Sequence, residues 1–391
     1  MRRALPALLL LAALGAGAQR PPPLPLIVGA VVSETGVHAS LAADYRKALV
    51  LWEDEVNAAG GLLGRPVKLR LLDDGSEAVT AGTLYRQLIA EKADALIGPF
   101  GSAATLMAAA EAENARRVLV NGAGWSQEVQ KRSPRFVFQS ATPYGAYGET
   151  VVQFARSAGA RSLFILARDE PAAREMAGAA LAAATKAGLA AGEVLSYGAS
   201  LDDFAPMVAR ARAQNADAWL AFGETRDAVE MVKSLKRLKY APRLFFARGA
   251  SGAKFIERVG QDAEFMLAVT GYDPRFRTER NESFVKAFEA KWSAPPGVAG
   301  AEGYAAASVL AEALRRAGSA DQEKLRAALS SLAMPTVLGE FRTGPGGVQS
   351  APRTAVLQTL EGRAEIVFPA SLETAKPVLP YPEWDGRKLL E

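Results

Sequence analysis

Two strand-to-helix turns hold the most usable chemistry in this sequence. In Leu96-Ile97-Gly98-Pro99-Phe100-Gly101-Ser102-Ala103-Ala104-Thr105 the glycines let backbone N–H groups face outward. Ser102 stands where it can cap the next helix while its hydroxyl points at a guest. Val120-Asn121-Gly122-Ala123-Gly124-Trp125-Ser126 repeats the arrangement. Free N–H groups at a helix start favour an anion by up to about 1 kcal/mol at an exposed end. Singly, each serine reads as a helix cap. On neighbouring strands of one parallel sheet, Ser102 and Ser126 would converge on one point and offer a seat for a carboxylate.

Catalytic chemistry is poorly supplied. His38 is the only histidine and there is no cysteine, so histidine or thiolate metal clusters and cysteine nucleophiles are excluded, and any Ser-His-Asp triad would have to use His38. Gly249-Ala250-Ser251-Gly252 lacks the closing glycine of a nucleophile elbow, because Ala253 follows. Gly344-Pro345-Gly346-Gly347 has no lysine after it and is no P-loop, and Gly122-Ala123-Gly124 does not extend to a dinucleotide fingerprint. No catalytic residue, metal or cofactor is expected.

The turns need rigid elements behind them, and the chain repeats one unit: a short β-branched run, a turn, then an amphipathic or alanine-rich helix. Leu26 to Val32 reads as a buried strand, and Leu41, Tyr45, Ala48, Leu49, Trp52 and Val56 form the stripe of a helix over 40–58. Strands at 67–72, 95–97 and 118–120 alternate with helices at 80–91 and 103–116. The rhythm restarts with strands at 162–167, 194–197, 218–222 and 243–247 and helices at 172–187, 204–214 and 227–239. Such alternation implies parallel, doubly wound sheets covered on both faces. Segments 339–342, 355–360 and 364–367 read instead as antiparallel strands with glycine turns. Two similar α/β lobes with short crossing segments describe a cleft protein, whose ligand lies at the carboxyl ends of the strands.

Composition agrees with an exported globular protein: 49% of the 391 residues are hydrophobic and 23% are charged. Arg2 and Arg3, the apolar run Leu5 to Leu14 and Ala16-Gly17-Ala18 read as a signal peptide over residues 1–18. The apolar run is too short to span a bilayer. Without cysteine a lipobox is impossible, so the expected product is free in the periplasm, not a lipoprotein. Removing Arg2 and Arg3 from 46 basic residues leaves 44 against 42 acidic, a net charge of +2. The basic residues are scattered, apart from a solvated helix face at Lys233, Lys236, Arg237 and Lys239, and nothing points to nucleic acid.

An ordered set of short motifs runs along nearly the whole mature chain: Ser33-Glu34-Thr35-Gly36, Glu55-Val56-Asn57 with Gly60-Gly61 and Leu63-Gly64-Arg65, Leu71-Leu72-Asp73-Asp74, Ile97-Gly98-Pro99 with Ser102, Phe136-Val137-Phe138-Gln139 before Gly148, and Gly303-Tyr304. In this the chain resembles the leucine/isoleucine/valine-binding receptors of ABC importers, which have the type I periplasmic binding fold. The resemblance implies a monomeric receptor whose hinged lobes trap an amino acid or related small molecule and present it to a membrane permease. It also implies that Ser102 binds a carboxylate, that the Ala123 carbonyl faces an amine, that Trp125 replaces a hydroxylated carboxylate ligand, and that Tyr304 covers the side-chain pocket.

Other positions depart from the family. Asp169-Glu170-Pro171 stands where a tyrosine is usual, Leu41 where an aromatic residue is usual, and Ala247-Arg248-Gly249 where a glutamate for the α-ammonium is common. Glu224 is the expected replacement partner for an ammonium, with Glu170 a poorer one. Arg248 either reads a carboxylate or pairs with Glu224. Trp125 is either a lid or interlobe packing. The family pattern places crossings near Thr142, Gly271 and Ala351, giving lobe one as residues 24–142 plus 271–350 and lobe two as 143–270 plus 351–391. Closure would bring Arg248, Glu224 and Tyr147 over the ligand. Loss of the usual glutamate, with Ser102 and Arg248 present, keeps open a receptor for an organic or aromatic carboxylate, and a second rival is a sensor without transport.

Overall fold

The computed structural model describes residues 23–385 apart from residue 251. The expected signal peptide at 1–18, Ser251 and the end of the expected second lobe at 386–391 lie outside the described residues.

The first sheet is built from β1 (Leu26–Val32), β2 (Val67–Asp73), β3 (Ala95–Ile97), β4 (Leu119–Asn121) and β5 (Val137–Gln139), with α1 (Ala39–Ala58), α2 (Ala78–Ala90), α3 (Ser102–Asn114) and α4 (Glu128–Lys131) between them. All its neighbours pair parallel in the order β2-β1-β3-β4-β5. The chain then crosses to a second layer: α5 (Tyr144–Ser157), β6 (Ser162–Arg168), α6 (Pro171–Ala187), β7 (Ala190–Ala191), β8 (Leu195–Tyr197), α7 (Ala205–Gln214), β9 (Ala218–Phe222), α8 (Thr225–Arg237), β10 (Leu244–Ala247), α9 (Ala253–Val259) and β11 (Leu267–Thr270). It returns to the first layer with α10 (Asn281–Trp292), α11 (Val298–Ala317), α12 (Gln322–Ser330) and the hairpin β12 (Ala333–Thr336) and β13 (Gly339–Arg342). A third crossing leads to β14 (Ala355–Leu360) and β15 (Arg363–Phe368), which add antiparallel to β11 and close the second sheet in the order β15-β14-β11-β10-β9-β6-β7, with β8 also on β6.

The parallel parts of the two sheets share one topology. The first strand lies beside the second on one side and the third on the other, so each sheet has a switch point: between β1 and β3, and between β6 and β9. Crevices at the carboxyl ends of strands beside such points accept ligands. The cores follow from the apolar runs. Tyr45, Leu49 and Trp52 of α1 pack with Leu310 and Leu314 of α11 on one face of the first sheet, and Tyr85 and Leu88 of α2 cover the other. In the second sheet, Val151, Phe154 and Met176 back one face while Val208, Met231, Leu235 and Phe255 back the other. Each such side chain contributes ~1.5–3 kcal/mol, and with no disulfide these cores carry the stability. The stripe of α1 holds except at Leu41, which is 60% exposed, so the helix begins its buried face at Ala42. Among the described residues no helix is long and apolar enough to cross a membrane.

Candidate ligand-binding site

Three consecutive strand ends of the second sheet build a charged wall. Glu170 follows β6, Glu224 follows β9 and leads into α8, and Arg248 follows β10. Asp227 anchors them from beneath. Its carboxylate, with the side chain only 1% exposed, accepts from Arg168 Nη1 at 3.0 Å, from the Tyr197 hydroxyl at 3.0 Å and from the Glu224 backbone N–H at 2.8 Å. Arg248 Nη1 donates to Glu224 at 2.7 Å and lies 3.9 Å from Glu170. Gly249 permits this approach: a Cβ there would stand 2.2 Å from the Glu224 carbonyl oxygen. Burial alone would lower the Arg248 pKa, but the charge and hydrogen bond of Glu224, with Tyr144 and Glu170, together outweigh it and hold the guanidinium above its usual value. Burial raises the Glu170 pKa, the nearby Glu224 charge raises it further, and Glu170 Oε1 is a buried acceptor without a hydrogen-bond partner.

The opposite wall is aromatic. Phe100 and Trp125 meet edge to face at 5.3 Å, and Trp125 lies 5.9 Å from Tyr144 in the first turn of α5. Trp125 Nε1 donates to both oxygens of Glu302 at 2.8 and 2.9 Å, and the backbone N–H of Thr142, at the first crossing, also donates to that carboxyl. Glu302, on α11, is 1% exposed, and burial pushes its pKa up to about 8.

Between the walls lies a cavity of about 190 Å³ lined by Trp125, Tyr144, Tyr147, Met176, Arg248, Gly271 and Val298, among others. That is room for about six waters at ~30 Å³ each, below the ~300–1,000 Å³ of drug-sized pockets. Gly271, at the second crossing, lets Tyr147 close the cavity: a Cβ there would stand 2.4 Å from the tyrosine hydroxyl. Larger surface depressions of about 480 and 620 Å³ lie outside this cleft, at 277–353 and 274–289. What the cleft can do is hold a small molecule with a polar end and an apolar body.

A family model described as periplasmic binding protein matches residues 25–378.

The chain belongs to the periplasmic binding protein family.

This periplasmic binding protein is 25% identical over 327 residues to an amino acid binding protein of Pseudomonas aeruginosa, covering 81% of this chain and 85% of the relative. Its fold is shared with an ABC transporter substrate-binding protein of Desulfitobacterium hafniense solved with Leu, at a TM-score of 0.75 and 21% identity, covering 88% of this chain and 99% of the other. It is shared equally with an ABC transporter solute-binding protein of R. palustris solved with benzoate, at a TM-score of 0.71 and 20% identity, covering 91% and 99%.

Trp125, Tyr147 and Arg248 line the cleft of this periplasmic binding protein, and Glu224 is tied to Arg248. Ser102 and Ser126 meet, but they bond each other: the Ser126 N–H donates to Ser102 Oγ at 3.1 Å, and Ser126 Oγ donates to Glu175 of α6 at 2.8 Å. The Ala123 carbonyl accepts from the Gly101 N–H at 2.9 Å and extends the sheet. Tyr304 stands apart from the cavity lining in this structure. Its hydroxyl bonds Glu55 and its ring lies 4.5 Å from Phe284, because α11 turns it toward α1 and α10, outside the cavity lining. Glu302, Tyr144 and Glu175 were missed by the sequence reading. A lone charge inside the apolar run 298–311 was a signal for Glu302, and a tyrosine three before Tyr147 on one helix face was a signal for Tyr144.

Proposed function

We propose that the protein is the solute-binding component of an ABC importer and takes a small carboxylate-bearing ligand, an amino acid with an apolar side chain, by closure of its lobes. The observation that carries this reading is the pairing of opposite polar groups on one wall of the cavity. Among the described residues Arg248 Nε and Nη2 carry no hydrogen bond to protein, a planar edge suited to a carboxylate. Glu170 Oε1 beside it, 3.9 Å from Arg248 Nη1 but without a hydrogen bond, is an acceptor for an ammonium, since buried polar groups lacking hydrogen bonds are costly. Trp125, Tyr147, Met176 and Val298 then surround an aliphatic side chain.

In this reading lobe one is 24–142 plus 271–350 and lobe two is 143–270 plus 351–391. The protein works as a periplasmic monomer without catalysis, released after Ala18. Closure expels water and strengthens each polar contact, and the permease reads the closed shape. The aromatic lining favours a second reading, a benzoate-like carboxylate stacked against Trp125 and Tyr144.

A thermal-shift panel on ligand-stripped protein tests both. A ligand at a hundred times its dissociation constant adds about 2.7 kcal/mol. Stabilisation by leucine, isoleucine or valine but not by their 2-oxo acids supports the amino-acid reading. Stabilisation by benzoate alone replaces it with the second, and a flat response to all carboxylates refutes both.

A further inference from the structure

The turn that would seat a ligand carboxylate already holds one. Glu175, on α6 of the second layer, accepts from Ser126 Oγ at 2.8 Å through one oxygen and from the Gln127 backbone N–H at 3.0 Å through the other. The Ser126 hydroxyl is fixed in turn, accepting from the Glu128 N–H at 3.2 Å, while the Ser126 N–H is held by Ser102 Oγ. Among the described residues no lysine or arginine lies within ion-pair distance of Glu175, so its direct partners are these two donors of the opposite lobe, with Lys131 acting on it only at longer range. Charge-assisted bonds of this kind are about twice as strong as neutral ones. Both partners adjoin the cavity lining in sequence, Ser126 after Trp125 and Glu175 before Met176.

We infer that Glu175 is a specificity-determining residue: by filling the Ser126–Gln127 seat from the facing lobe it bars a ligand carboxylate from that seat, so the ligand's acidic end is turned toward Arg248. The inference rests on the proposed reading of a carboxylate ligand. Specificity by exclusion needs only that the wrong pose meet an occupied or like-charged site. The same bond clasps the two lobes, so losing it also loosens closure.

The test begins without any transported ligand. In Glu175→Ala the seat is vacated, and sodium acetate should refill it. We expect acetate at about 100 mM to raise the unfolding midpoint of this variant by ~2–4 °C over sodium chloride of equal ionic strength. Wild type and the Glu175→Ala, Ser126→Ala double variant should not respond. Equal acetate responses in all three would overturn the seat. If the alanine variant does not fold, a double-mutant cycle of Glu175→Gln with Ser126→Ala decides: coupling is expected, and additive losses overturn the contact.

Orientation is read with whichever of L-leucine and benzoate binds wild type. Arg248→Ala should abolish that binding, and adding Glu175→Ala should restore an Arg248-independent mode. Binding indifferent to Arg248→Ala overturns the orientation. Wild type blind to every carboxylate would sink the proposed function and the orientation together, while the acetate response would still decide whether Glu175 occupies a carboxylate seat.

Discussion

Glu302→Gln should make the protein less sensitive to rising pH. Burial holds the Glu302 pKa near 8 against an ordinary 4.5, so between these values the folded chain keeps a proton that the unfolded chain releases. Stability from this group is complete below about pH 4.5 and is lost as pH rises toward 8. The slope reaches about 1.4 kcal/mol per pH unit. From pH 5.5 to 7.5 the loss is about 2.5 kcal/mol, or roughly 5–10 °C at ~2–4 °C per kcal/mol. Glutamine keeps the shape, stays neutral and still accepts from Trp125 Nε1. Melts of both proteins from pH 5.5 to 8.5, followed by tryptophan fluorescence, cancel the background from other groups. The difference should be small at pH 5.5 and favour the variant increasingly above it. Parallel curves would refute the reasoning, and would mean that the Trp125 and Thr142 donors outweigh burial and keep the carboxylate charged throughout.

Arg248→Lys keeps the charge but loses the planar fork, and should weaken ligand binding about 10–100-fold by calorimetry, the worth of one charged hydrogen bond at ~1.5–3 kcal/mol; unchanged affinity would remove Arg248 from the site. Tyr304→Phe should leave affinity within about twofold while costing ~1 kcal/mol of stability through the lost Glu55 bond; a large affinity loss would return Tyr304 to the pocket. Gly249→Ala drives a Cβ against the Glu224 carbonyl and should cost ~1–3 kcal/mol in denaturant melts; a neutral variant would mean the Arg248 turn is free to shift.

Most of the frame was legible because its signals are local. Strands such as Ala218–Phe222 and helices such as Ala39–Ala58 are dictated by runs and stripes within a few residues of one another. The turns at Ser102 and Ser126 were legible for the same reason, since Gly and Ser at a strand end leave few alternatives. What each side chain then bonds was not local. Trp125 meets Glu302 across 177 positions and Ser126 meets Glu175 across 49. Neither distance has a periodicity to reveal it. Both depend on how helices from different parts of the chain converge at the crossings.

The positions of Tyr304, away from the cavity lining, and of Glu302, against Trp125, have one physical origin. Residues two apart on a helix point about 200° from each other, so a helix can offer the cleft one of them and the core the other. Here α11 gives Glu302 to Trp125 and Thr142, and gives Tyr304 to Glu55 and Phe284. The consequence reaches the ligand. A tyrosine over the pocket would have been a polar lid from the first lobe, whereas a buried Glu302 fixes an indole there and leaves that wall apolar. With the serine turn bonded to Glu175 as well, residues 24–142 and 271–350 give the cavity only Trp125, Gly271 and Val298, none of them charged, and the charge comes from Arg248. In the proposed reading, recognition of an acidic end would therefore fall to Arg248, which lines the cavity opposite Trp125.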